Sequence, residues 1–239
     1  MPGAGQPDEA DLVVTLNAPP VGIELPDIRP LWTRRELLYF LTWRDVMVRY
    51  KQTVLGAMWA IVQPVTAMII LTFIFGRIAK LSSGGVPYSL FVYTALVPWT
   101  FFSTAITQAA QSLVLQERIL TRVYFPRLLI PMAAISAVLV DLVITLVVLA
   151  GLMLYHGVAP GWEVLTLPAF ILLAVLAACA VGLFLSAVNV RYRDVRYITP
   201  FLVQIWMFAT PVAYDSELVP ERWRTLYDLN PMVGVIDGF

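Results

Sequence analysis

Long uncharged apolar runs alternate with short basic pieces along most of this chain. No residue is charged from Gln52 to Gly76 or from Leu81 to Gln116, and only Asp141 is charged between Leu128 and Tyr155. A helix needs about 20 mostly apolar residues to cross the hydrocarbon of a bilayer. Segments 56–78, 88–115, 128–155, 164–188 and 198–214 fit that pattern, the fifth being short, with Pro200 and Pro211 near its ends. Pro64 is expected to kink the first segment. The Gly-rich turns Ser82–Pro87 and His156–Glu163 separate neighbouring spans. The pattern predicts an all-α polytopic membrane protein with five spans.

The segment ahead of the first span, Leu31–Gln52, is patterned differently. At 100° per residue Arg34, Arg35, Thr42, Asp45 and Arg49 fall on one side, and Leu37, Phe40, Leu41, Val46, Met47 and Val48 on the other. With Trp32, Tyr39, Trp43 and Tyr50 mixed in, this predicts an interfacial amphipathic helix lying in the membrane surface. A soluble helix packed on a partner is the alternative, and Glu36, Arg44 and Lys51 interrupt the apolar side. Residues 1–30 are proline-rich and acidic, and they lack the basic and apolar regions of a cleavable signal. They read as a disordered cytoplasmic tail, leaving 31–239 as a single membrane domain.

Composition sharpens the class. Hydrophobic residues make up 59% of the 239 positions and charged ones 13%, against about 45–50% and about 25% in soluble domains. The net charge is zero, but the charges are unevenly spread. With the N-terminus inside, the inner segments hold Arg29, Arg34, Arg35, Arg44, Arg49, Lys51, Arg118, Arg122, Arg127, Arg191, Arg193 and Arg196. The outer segments hold only Arg77, Lys80, Arg222 and Arg224. Basic residues favour the cytoplasm, so 116–127 and 189–197 are predicted to be cytoplasmic loops and 215–239 extracytoplasmic. An odd number of spans leads to the expectation that a sixth follows Phe239.

Candidate chemistry is sparse. The chain has no GxxxxGK[ST], HExxH or GxSxG pattern, and one His (His156) with one Cys (Cys179) makes a metal site unlikely by inventory. A membrane-embedded glycosyl or lipid transferase would need acidic pairs or a metal motif, and a secondary transporter would need ionisable residues along several spans. Asp141 is the single acid deep in a span, where a carboxylate costs about 2.5–3.5 kcal/mol. It is either a pore-facing or gating group or one half of a helix–helix hydrogen bond. Most aromatic residues suit interfacial anchoring. Some can instead line a passage, since an aromatic face stacks loosely on a sugar ring; Trp59, Phe101, Trp206 and Phe208 are the candidates.

Four blocks carry a resemblance: LTWRDVMVRYKQTVLGAMWAIVQP (41–64), ERILTRVYFPR (117–127), NVRYRDVRY (189–197) and TPVAYDSELVPERWRTLYDLNPMVGVIDGF (210–239). In that order they resemble the transmembrane subunits (permeases) of ABC exporters for O-antigen, capsule and teichoic acid. The resemblance covers about residue 31 onward. It implies six spans, a homodimer, two copies of a separate ABC ATPase that carries the ATP and Mg, and no nucleic-acid partner. The implied cargo is a polyprenyl-diphosphate-linked polysaccharide moved across the plasma (inner) membrane; a drug or small lipid is the alternative cargo. The implied ATPase-coupling residues are Glu117, Arg118, Arg122, Tyr124, Phe125 and Arg127, with Arg44, Asp45 and Arg49 on the surface helix. Trp59, Phe101, Trp206, Phe208 and Asp141 would line the channel. Short re-entrant helices with Pro211, Tyr214, Asn230 and Pro231 would form the extracytoplasmic gate. The arginines also serve positive-inside topology. The departure from the family pattern is the missing sixth span.

Overall fold

The computed structural model describes residues 33–51, 56–80, 85–117, 126–216 and 219–239. The tail 1–30 and the loop positions 118–125 lie outside the described residues. Eight α-helices and no strand occur among the described residues: α1 Arg35–Lys51, α2 Met58–Leu71, α3 Tyr88–Leu115, α4 Leu129–His156, α5 Leu167–Arg191, α6 Val195–Phe208, α7 Glu221–Asp228 and α8 Pro231–Asp237. The chain is a multi-pass membrane protein. Four helical stretches among the described residues are long and apolar enough to cross a bilayer: 58–78, 88–115, 129–156 and 162–191. The first two and the third match the predicted spans closely, and the fourth is extended at its start by a 3-10 turn, Trp162–Thr166.

The predicted span 198–214 is a different object. It contains the 14-residue helix α6 followed by turns through 209–214. At 1.5 Å per residue α6 is about 21 Å long, short of a hydrocarbon core of about 30 Å.

Local sequence explains where the helices stop. Gly157 ends α4 in the left-handed conformation, φ 67°. Its N–H bonds Leu154 O at 3.2 Å, and Val158 N–H reaches back to Met153 O at 3.0 Å, the paired pattern of a Schellman cap. Past Leu71, α2 loosens into a π-helical stretch, Thr72–Ile78, which closes with Ala79 N–H on Ile74 O at 2.9 Å and Lys80 at φ 52°. Pro64 stays inside α2 and is buried.

α3 is the axis of the core. α4 and α5 pack along it, and α2, α6 and α8 also touch it. α4 runs antiparallel to it: Leu113 packs near Leu129 and Ile130 at one end, and Tyr93 bonds Thr145 O toward the other. Small residues let α5 approach. A Cβ on Gly182 would lie 2.9 Å from Ala109 Cβ, the close crossing that small residues permit between membrane helices. Nearby, Asn189 donates to Ala110 O at 2.7 Å.

α1 packs along the first half of α4 and points the same way. Leu41, with Leu37 and Leu38, meets Leu129, Ile130 and Ala133. Eight residues further on, Arg49 reaches Asp141. The two sides expected from the helical wheel are therefore rotated in their use. Phe40, Met47 and Val48 of the apolar side are exposed, whereas Arg49 of the polar side points into the bundle.

Candidate functional site

A polar cavity of about 260 Å³ opens between the end of α1, the start of α2 and the middles of α3 and α4. Asp141 is its centre. Arg49 donates one guanidinium N–H to Asp141 Oδ2 and another to Gln108 Oε1, and Tyr50 donates its hydroxyl to Asp141 Oδ1. Both carboxylate oxygens of Asp141 thus carry a charge-assisted bond from α1. The Arg49 and Asp141 side chains retain only 23% and 20% of their exposure. Asp141 lies about 18 Å along α4 from Leu129, at 1.5 Å per residue. Burial, and then the bond to Asp141, hold the Tyr50 phenol above its ordinary pKa, so it stays a donor.

Asp141 makes a bond between helices, and it also lines a cavity. The carboxylate is compensated by a guanidinium, the arrangement expected of an ionised group inside a membrane domain.

The opposite wall explains why the cavity is polar. Thr100, Ser103, Thr104, Thr107, Gln108 and Gln111 of α3 are all half-buried, while the positions between them are buried. Four of them, Thr100, Ser103, Thr104 and Gln108, face the cavity. Their i, i+3, i+4 spacing puts them on one helix face. Ser103 and Thr107 donate to carbonyls of their own helix, Thr100 O and Ser103 O. Their oxygen lone pairs remain as acceptors. Trp59 and Phe101 complete the lining. Trp59 is 55% exposed and Phe101 is buried.

The structure divides the predicted channel set. Trp59, Phe101 and Asp141 share this cavity. Trp206 instead packs edge-on against Phe102, centroids 5.1 Å apart, and Phe208 is 68% exposed on α6. The predicted coupling set is divided too. Arg49 belongs to the cavity, Arg44 and Asp45 pair with each other at 2.8 Å, and Glu117 and Arg127 are exposed at the ends of the loop joining α3 to α4. Arg118, Arg122, Tyr124 and Phe125 lie outside the described residues.

The predicted gate residues gather at the other end of the bundle. Asn230 caps α8: its Oδ1 accepts Met232 N–H at 3.1 Å, its amide donates to Thr210 Oγ1 at 3.0 Å, and Pro231 takes the first helical position. Tyr214 donates to Phe208 O at 3.1 Å and stands 3.5 Å from the Tyr227 hydroxyl. Burial, then that contact with Tyr214, raises the Tyr227 pKa. Pro211 is buried, and Tyr88 at the start of α3 donates to Ala213 O at 2.5 Å. A second cavity, of about 670 Å³, lies beneath, lined in part by Leu90, Phe91, Pro211 and Tyr214.

Sequence reasoning missed Tyr50, Gln108 and the α3 hydroxyls, together with Tyr88, Thr210 and Tyr227. The α3 group had a readable signal, a polar stripe at helical period within an uncharged span. Tyr88 and Thr210 had none, because their partners are backbone and amide groups far along the chain.

A family model for ABC-2 type transporters matches residues 36–239. The O-antigen export system permease protein RfbA of Myxococcus xanthus is 31% identical over 214 residues, 89% of this chain and 82% of that protein. Its namesake in Klebsiella pneumoniae is 27% identical, covering 84% and 77%. The polysialic acid transport protein KpsM of Escherichia coli is 21% identical, covering 81% and 76%. This chain belongs to the ABC-2 type transporter family.

Proposed function

We propose that this chain, a member of the ABC-2 type transporter family, is the transmembrane subunit of an ATP-driven exporter of a lipid-linked polysaccharide. Hydrolysis is the work of a separate ABC ATPase holding ATP and Mg, in two copies on a permease homodimer in the plasma membrane. The observation that carries the reading is the family match over 36–239, with relatives named for O-antigen and polysialic acid export. It is supported by a polar, aromatic-walled cavity within the membrane domain, which suits a hydroxylated cargo.

In this reading residues 31–239 form one permease domain and 1–30 a cytoplasmic tail. The basic side faces the cytoplasm. Glu117, Arg118, Arg122, Tyr124, Phe125 and Arg127, with Arg44 and Asp45, receive the push of the ATPase. Trp59, Phe101 and Asp141 line the inner part of the passage, with Trp206 and Phe208 as further lining residues. The turn at Pro211 and Tyr214, with Asn230, Pro231 and the short helices α7 and α8, forms the outer gate.

Copurification with the ATPase, followed by ATP-dependent movement of a polyprenyl-diphosphate-linked glycan in proteoliposomes, tests the reading. Movement that stops when the ATPase is omitted is the expected result. Cargo movement by the permease alone would end it.

A further inference from the structure

We infer that Arg49, Tyr50, Gln108 and Asp141 form a movable joint that carries displacement of α1 to the centre of the bundle, with Gln108 and Asp141 as positioning residues. The inference rests on the transporter reading above and names where its motion enters the span layer.

Three observations carry it. The first is the connection itself. Arg49 and Tyr50 sit at the end of α1, and their bonds to Asp141 join positions 92 and 91 residues apart. Arg49 holds α3 as well, through Gln108. One turn of α1 therefore grips both helices at the heart of the fold. The α1 contact also includes a buried leucine cluster at the far end of the helix. Side-chain shape at those leucines sets how α1 crosses α4, and the polar end adds bonds to specific partners.

The second observation is that the joint has somewhere to go. A guanidinium offers five donors, and the α3 stripe repeats acceptors at every turn, from Gln108 to Thr104 and Ser103 to Thr100. A shift of one turn, about 5.4 Å, exchanges one acceptor for the next. Such one-turn steps are a recognised form of switching between packed elements.

The third is space. An ion pair inside apolar packing cannot separate, because each charge would be stranded. Here the surrounding cavity measures about 260 Å³, and water occupies about 30 Å³ per molecule. Several waters can follow the charges as they part, so separating them costs less than it would in a dry core. That is the property a coupling element needs.

The test uses the permease assembled with its ATPase, in cells lacking their own permease for surface-polysaccharide quantification and in proteoliposomes for ATP hydrolysis. Asp141→Asn is expected to lower polysaccharide displayed per ATP hydrolysed at least tenfold, with an unchanged amount of assembled complex. Tyr50→Phe, which removes one bond and no charge, is expected to lower that ratio about threefold. The exchange R49D/D141R restores the pair in reverse and is expected to recover at least a third of the wild-type ratio. If Asp141→Asn fails to assemble, Tyr50→Phe and the exchange decide the matter. A wild-type ratio in both Asp141→Asn and Tyr50→Phe overturns the joint, as does loss of assembled complex in proportion to loss of export across all three variants. If the wild-type complex displays no polysaccharide with ATP, it is the transporter reading that falls.

Discussion

The two ends of this bundle solve the same problem with different chemistry. At the α1 end a charged pair, Arg49 with Asp141, joins elements beside a cavity. At the α8 end the joining is mostly neutral, with the Asp237 carboxylate bonded to Ser216 beside it: Tyr88 to the Ala213 carbonyl, Asn230 to Thr210 and to its own helix, Tyr214 to Phe208. Neutral bonds to backbone hold one geometry and cost little when water is absent. A charged pair has strong but replaceable partners, provided that each charge finds another when they separate. The difference teaches that the α8 segment is built as a clasp, whereas the Arg49–Asp141 cluster has the replaceable partners that a joint needs.

The sharpest break of this contrast is Arg49→Ala. Removing one partner leaves the other charge uncompensated, worth about 3–5 kcal/mol for a fully buried pair. With about a fifth of each side chain still exposed, a loss of up to about 3 kcal/mol is expected, read as the midpoint of thermal unfolding in detergent micelles. The loss should shrink in Arg49→Lys, which keeps the charge.

Asn230→Ala comes next. It removes a helix cap worth about 1 kcal/mol and one further amide bond of similar size. The expected loss is about 1–2 kcal/mol, and faster hydrogen exchange should be confined to α8 and the 209–214 turn. Exchange that quickens equally around Asp141 would mean that the two ends are one cooperative unit.

Tyr88→Phe deletes a single neutral bond and keeps the ring against Gly76. A cost of about 1 kcal/mol, with no change in Arg49 variants made alongside it, would show the ends to be additive.

The smallest effect concerns alkaline pH. Both Tyr50 and Tyr227 have folded pKa values above the ordinary value of 10.0. The stability contributed by their neutral phenols is fully present below about pH 10. It is lost as pH rises through the raised values. Phenolate absorbance should show these two ionising last, together with unfolding. Asp141→Asn should bring Tyr50 down and leave Tyr227 in place, because Asp141 contributes to the first shift alone.

Periodicity and charge made the helical membrane class and the spans within 56–115 and 128–188 legible before any coordinates, and four sequence blocks carried the resemblance to the family. The class and the spans follow from local facts: a bilayer demands about 20 apolar residues in a row, Gly157 closes α4 in the left-handed conformation, and Pro87 precedes the first turn of α3. Length alone did not carry the short α6, since 198–214 reads as apolar right through the point where Trp206 and Phe208 give way to turns. Which side of α1 faces inward was beyond a helical wheel, because a wheel ranks positions by polarity while a polar cavity inverts the preference. Tertiary packing alone brought Arg49 to Asp141. Ion pairs between residues so far apart depend on how α1, α3 and α4 cross, and that crossing is set by side-chain shape at the contacts, such as Leu41 and Leu113 against Leu129 and Ile130.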